Sequence, residues 1–133
     1  MASILIIEDD NDVREAIKDV LEHAGYNVDT AASGNEAIEF QRKQPAQVIV
    51  TDIIMPGKHG IDTILEMQEE FPAVKIIAIS GGGGFGRPAY KPEANMTTVY
   101  LTAAKEAGAD RVFAKPFDRK ELIQAVEDLL NVD

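Results

Sequence analysis

The chain has 133 residues, a formal net charge of −10 and no cysteine. Such a length holds one domain with its own core and is short for two. The charge argues against direct binding to nucleic-acid phosphates, the missing cysteines exclude disulfides and thiolate metal sites, and no apolar run approaches the ~20 residues of a membrane span.

No basic segment leads into an apolar run and a small-residue cleavage site at the N-terminus, so no signal peptide and a cytoplasmic location are expected. Residues 4–7 are all apolar and read as a fully buried strand. Val13, Ala16, Ile17, Val20, Leu21 and Ala24 then recur at helical spacing. Gly25 follows as a stop, because glycine accepts the left-handed conformation past a helix end. Residues 26–30 read as a second, weaker strand. Ser33-Gly34-Asn35-Glu36 reads as a capping box: the Ser33 hydroxyl accepts from the Glu36 amide while the Glu36 carboxylate reaches back. The helix it opens ends near Gln44, before Pro45.

Residues 48–51 are the third strand. A loop with Pro56, Gly57 and Gly60 leads into a helix over about 61–71, closed by Pro72. Residues 75–80 are the fourth strand. A glycine-rich, proline-containing stretch over about 81–96 has the character of an insertion. Residues 98–107 read as a helix stopped by Gly108, and 111–114 as a short fifth strand. Asp118-Arg119-Lys120-Glu121 is a second capping-box-like start, and Leu122, Ile123, Val126, Leu129 and Leu130 give the last helix its buried stripe.

Five strands alternating with five helices imply an α/β fold, a parallel sheet covered on both faces through right-handed crossovers. In such a sheet every strand ends on one edge, and ligands bind there. Glu8 and Asp9 end the first strand, Asp52 the third and Ser80 the fourth, while Lys115 follows the fifth. Clustered carboxylates repel one another and call for a cation, and hard oxygen ligands suit Mg2+. A lysine beside them balances charge and binds a phosphoryl oxygen, and a serine hydroxyl donates to another. A carboxylate between metal and lysine can act as a nucleophile toward an activated phosphoryl group. Each residue alone has a plainer explanation. Acids at strand ends commonly solvate loops, either Asp10 or Asn11 suits a helix cap, and a lysine before proline is usually a surface residue. The conjunction at successive strand ends carries the argument.

Ile4-Leu5-Ile6-Ile7-Glu8-Asp9-Asp10, Val48-Ile49-Val50-Thr51-Asp52-Ile53-Ile54-Met55-Pro56-Gly57, Ile77-Ala78-Ile79-Ser80 and Ala114-Lys115-Pro116-Phe117 resemble the four signature segments of bacterial response regulator receiver domains. The resemblance covers essentially the whole chain except 81–96, so residues 1–133 are expected to form a single receiver domain with that insertion. It implies a flavodoxin-like, doubly wound five-stranded parallel sheet of order 2-1-3-4-5. It also implies a phosphorelay function. Asp52 would accept the phosphoryl group, Asp9 would bind Mg2+ directly, Glu8 would act mainly through metal-bound water, and Ile54 would offer its backbone carbonyl. Ser80 would be the hydroxyl that follows the phosphate and Lys115 the pairing lysine, its peptide to Pro116 being cis. Asp10 suits a helix cap and an outer-shell role equally. The expected partners are a sensor histidine kinase or histidine phosphotransfer protein and a downstream protein of unknown identity, with no direct contact to nucleic acid or membrane.

The chain also departs from that pattern. The position three before the lysine, often aromatic in the family, is Val112, and its aromatic neighbour Phe113 should face the other side of the sheet. The run Gly81-Gly82-Gly83-Gly84-Phe85-Gly86 lacks the Lys-Ser/Thr of a phosphate loop. His23 and His59 lie outside any recognisable phosphotransfer helix. Ile54 and Gly82 offer no polar side chain to orient a hydrolytic water, so slow loss of the phosphoryl group is expected, and Ile54→Asn should hasten it in a decay assay. Three rival readings fit the residues less well. A phosphatase of the haloacid-dehalogenase type needs an acid two residues after its nucleophile, where this chain has Ile54. A flavin-binding module would have its phosphate repelled by the strand-end carboxylates. A scaffold receiver would lack some phosphorylation residue, and here none is missing.

Overall fold

The all-apolar segments form the interior of a parallel sheet, because only strands covered on both faces are apolar at every position. The computed structural model describes residues 2–53, 60–80, 102–114 and 118–131. Ile54, His59, the 81–96 stretch, Lys115 and Pro116 lie outside them, and with them the expectations made there.

In chain order the elements are β1 (Ser3–Ile7), α1 (Asn11–His23), β2 (Asn27–Ala31), α2 (Gly34–Lys43), β3 (Val48–Asp52), α3 (Gly60–Glu70) and β4 (Lys75–Ser80). Residues 102–107 are helical and form α4. The chain closes with β5 (Arg111–Ala114) and α5 (Arg119–Leu130). The sheet order is β2-β1-β3-β4-β5, with every neighbouring pair parallel. This is the flavodoxin-like order that the family resemblance implied.

Alternation along the strands divides the core into two layers. Leu5, Ile7, Ile49, Ile76 and Ala78 face α2, α3 and α4, where they meet Ile38, Ile64, Met67 and Ala104. Ile4, Ile6, Val48, Val50, Ile77 and Ile79 face α1 and α5, where they meet Val13, Ile17, Leu21, Leu122, Val126 and Leu129. Each Val, Leu, Ile or Met side chain among them stabilises the fold by roughly 1.5–3 kcal/mol on full burial. Val112 packs against the first layer and Phe113 against the second, so the aromatic does lie across the sheet from the valine.

Local signals explain the element ends. The Ser33 hydroxyl accepts from the Glu36 amide at 3.2 Å. The Glu36 carboxylate reaches past the cap residue and accepts from the Ala32 amide at 3.3 Å. Strand β2 begins one residue later than its apolar pattern suggests, since the Tyr26 amide still donates to the Leu21 carbonyl at the end of α1. Between these elements Gly25 takes φ +101°, which a side chain would strain. Arg42 and Glu70 pair at 2.6 Å across α2 and α3. Its hydrogen bond to Arg42 holds the Glu70 carboxyl below the ordinary value. The pair therefore contributes above the carboxyl's unfolded pKa and is lost as pH falls through the folded one, and its exposure keeps the effect small.

Candidate functional site

The carboxyl edge of the sheet collects the acids. Strand β3 runs to Asp52, whose neighbour across β4 is Ile79. Strand β1 stops at Ile7, and Glu8, Asp9 and Asp10 bridge to α1. The Glu8 amide donates to the Ala31 carbonyl at 3.1 Å, which ties the start of this bridge to β2. A carboxylate oxygen from each of Glu8, Asp9 and Asp52 lies within 4.8 Å of the other two. Glu8 and Asp52 are buried, whereas Asp9 is exposed.

Three carboxylates at this spacing repel one another, and the low dielectric around the two buried ones strengthens the effect. The donor set is hard oxygen only, which fits Mg2+ or a similar cation far better than a soft metal. The structure thus brings together the three acids singled out from the sequence.

Ser80 ends β4 beside Ala114 of β5. It is fully buried, and its Oγ has no hydrogen-bond partner among the described residues. A buried hydroxyl left without a partner costs about 1–3 kcal/mol. Thr51 is also buried, and its hydroxyl donates to the Asp52 carbonyl at 3.0 Å.

Asp10 caps α1. Its Oδ1 accepts from the Asp12 amide at 2.9 Å and from the Val13 amide at 3.2 Å. Of the two candidates for the cap, Asp10 fills the position and Asn11 is the first helical residue. Asp10→Ala should destabilise the protein by about 0.5–2 kcal/mol, and Asp10→Asn by much less. Urea midpoints of the two variants check this, and equal losses would show that the cap is not the source.

Two contributors escaped the sequence reading. Gly60, read only as a loop residue, is buried at the start of α3, and its amide donates to the Ile53 carbonyl at 2.9 Å. A Cβ there would meet the Ile53 carbonyl oxygen at 2.5 Å and the Asp52 carbonyl oxygen at 2.6 Å. Arg14, on α1, donates from Nη1 to the Glu8 carbonyl at 2.9 Å. Spacing gives no signal for either, since both depend on how an element crosses the strand ends.

The family model of the response regulator receiver domain matches residues 4–127. Response regulator receiver protein CpdR of Brucella abortus is 34% identical over 130 residues, which are 98% of each chain. DNA-binding transcriptional regulator NtrC of Azospirillum brasilense is 30% identical over 130 residues, 98% of this chain but 24% of NtrC. The structure of response regulator protein TrrA from Thermotoga maritima, in complex with Mg2+-BeF, superposes with a TM-score of 0.75 at 29% identity, covering 97% of this chain and 99% of TrrA. The fold is shared with these signalling proteins over nearly the whole chain, and the chain belongs to the response regulator receiver domain family of two-component systems.

Proposed function

We propose that Asp52 accepts a phosphoryl group in a Mg2+-dependent reaction, and that residues 1–133 act as one receiver domain interrupted by the glycine-rich 81–96 stretch. The convergence of the Glu8, Asp9 and Asp52 carboxylates within 4.8 Å at the strand ends carries this reading. The Mg2+-BeF bound by TrrA supports it.

Asp9 and Asp52 would hold Mg2+ directly, Glu8 mainly through water, and the backbone carbonyl of Ile54 would complete the protein ligands. The ion, when bound, offsets the carboxylate repulsion and the charge on the transferring phosphoryl oxygens. An Asp52 carboxylate oxygen attacks the phosphorus of a phosphohistidine or a small acyl phosphate. A bond from Asp52 to phosphorus forms as the bond to the donor nitrogen or oxygen breaks. Lys115 would pair with the phosphoryl oxygens, and the Ser80 hydroxyl, which has no partner among the described residues, would donate to one of them. The chain supplies this chemistry for its own modification and works as a switch rather than as a turnover enzyme. Its donor would be a histidine kinase or phosphotransfer protein in the cytoplasm, and its output a protein that docks on the phosphorylated form.

Lys115→Ala and Ser80→Ala should separate two roles. Lys115→Ala should lose both phosphorylation and the active state. Ser80→Ala should still accept phosphate, switch poorly, and be at least as stable before phosphorylation, because the hydroxyl it removes has no partner among the described residues. Intact-mass phosphorylation yields, phosphorylation-dependent exchange at residues 102–107 and thermal unfolding test the pair. Equal loss of phosphorylation in both variants would contradict this assignment.

A further inference from the structure

We infer that Arg14 is a positioning residue for the metal site: it sets the direction of the Glu8–Asp9 peptide and thereby the place of the Asp9 carboxylate. The inference rests on the Mg2+ reading of the acid cluster.

Arg14 sits in the first turn of α1 and folds back toward the bridge that precedes its own helix. Nη1 donates to the Glu8 carbonyl at 2.9 Å, and Nη2 donates to the Asn11 side chain. The rigid guanidinium fork thus joins the residue that follows β1 to the residue that opens α1. Its backbone amide adds a third tie, donating to the Asp10 carbonyl at 2.9 Å.

The Glu8 carbonyl belongs to the planar peptide shared with Asp9, so holding that oxygen fixes the plane. With the plane held, the Asp9 nitrogen and Cα are placed, and only rotation about the Asp9 N–Cα bond is left to set where its side chain leaves the backbone. Asp9 needs this most. Glu8 and Asp52 are buried, whereas Asp9 is exposed. The bridge is also tied by the Glu8 amide on Ala31, by the Asp10 amide on the Glu8 carboxylate at 3.5 Å and by the Asp10 cap. Of these, the Arg14 bond is the one made to the carbonyl of the Glu8–Asp9 peptide among the described contacts.

Two physical effects of Arg14 oppose each other, and this makes the proposal decidable. A nearby positive charge weakens the binding of a cation, so deleting it should tighten Mg2+ binding if charge were all that mattered. A group that orients a ligand strengthens binding, and its loss typically costs 10–100-fold in metal affinity. The Arg14→Met variant keeps the aliphatic stem and removes both the charge and the fork. Positioning predicts a Mg2+ dissociation constant raised roughly tenfold. Arg14→Lys keeps the charge without the planar fork and should also bind more weakly than wild type.

The experiment is calorimetric titration of the full chain and both variants with MgCl2, beside thermal unfolding in chelator. The expected result is weaker binding in both variants, with unfolding midpoints close to wild type. Unchanged or tighter binding in Arg14→Met overturns the inference and leaves the acid-cluster reading intact. Weaker binding in Arg14→Met with wild-type binding in Arg14→Lys also overturns the role given to the fork. If wild type itself binds no Mg2+, the acid-cluster reading fails, and the inference with it. Should Arg14→Met fail to fold, the Arg14→Lys titration decides alone.

Discussion

Asp52→Asn is expected to take up no phosphoryl group from a small donor such as acetyl phosphate, under conditions where wild type gains one. The substitution keeps the shape of a buried side chain and removes the nucleophilic oxygen pair, so loss of labelling should not reflect loss of fold. Stability should move the other way. Asp52 has a carboxylate oxygen within 4.8 Å of oxygens on both Glu8 and Asp9. Two like charges at such a distance repel by about 1 kcal/mol in water and by several times that where screening is poor. Glu8 and Asp52 are buried together, so in chelator Asp52→Asn should melt a few degrees above wild type, at roughly 2–8 °C per kcal/mol for domains of this order of size. Mg2+ should raise the wild-type midpoint and leave the variant nearly unmoved. Intact mass and thermal unfolding with and without Mg2+ test both halves. An unchanged phosphorylation yield in the variant would remove Asp52 from the role. A variant less stable than wild type in chelator would mean that the acids are not in net repulsion.

The sheet was legible because its signal is coarse. Residues 4–7 and 48–50 are apolar at every position, and only a strand buried on both faces tolerates that. Once the strands are parallel, Glu8, Asp9 and Asp52 must share an edge whatever the details. The details were less legible where they depend on neighbouring elements. Glu36 could be expected to reach back, but its choice of the Ala32 amide depends on the turn that enters α2. The start of β2 moved because the end of α1 keeps the Tyr26 amide. Arg14 is half-buried at the flank of the apolar stripe of α1, and nothing in the spacing shows that its guanidinium turns back to the Glu8 carbonyl. Ser80 was legible as a strand-end hydroxyl, while its full burial without a partner among the described residues was not.

Gly60→Ala should damage the site more than any other single-methyl addition at the described glycines. Helix α3 starts against the end of β3, and the Gly60 amide donates to the Ile53 carbonyl. A methyl at Gly60 would lie 2.5 Å from the Ile53 carbonyl oxygen and 2.6 Å from that of Asp52. Those atoms are backbone and cannot swing aside as a flexible side chain does. Either α3 moves outward or the end of β3 shifts, and Asp52 is the last residue of that strand. Overpacking of this kind costs about 1–3 kcal/mol, occasionally more. Displacing a nucleophile by ~1 Å can cost on the order of 100-fold in rate. Gly25→Ala provides the control. Its φ of +101° makes the alanine strained, yet nothing lies within 4 Å of the added carbon, and the residue sits at the opposite end of α1 from the acids. It should lose about 1–2 kcal/mol of stability and phosphorylate at the wild-type rate. Urea unfolding ranks the two losses, and the initial rate of acetyl phosphate labelling separates their causes. If Gly60→Ala labels as fast as Gly25→Ala at equal folded fraction, the close approach of α3 to β3 has no part in placing Asp52.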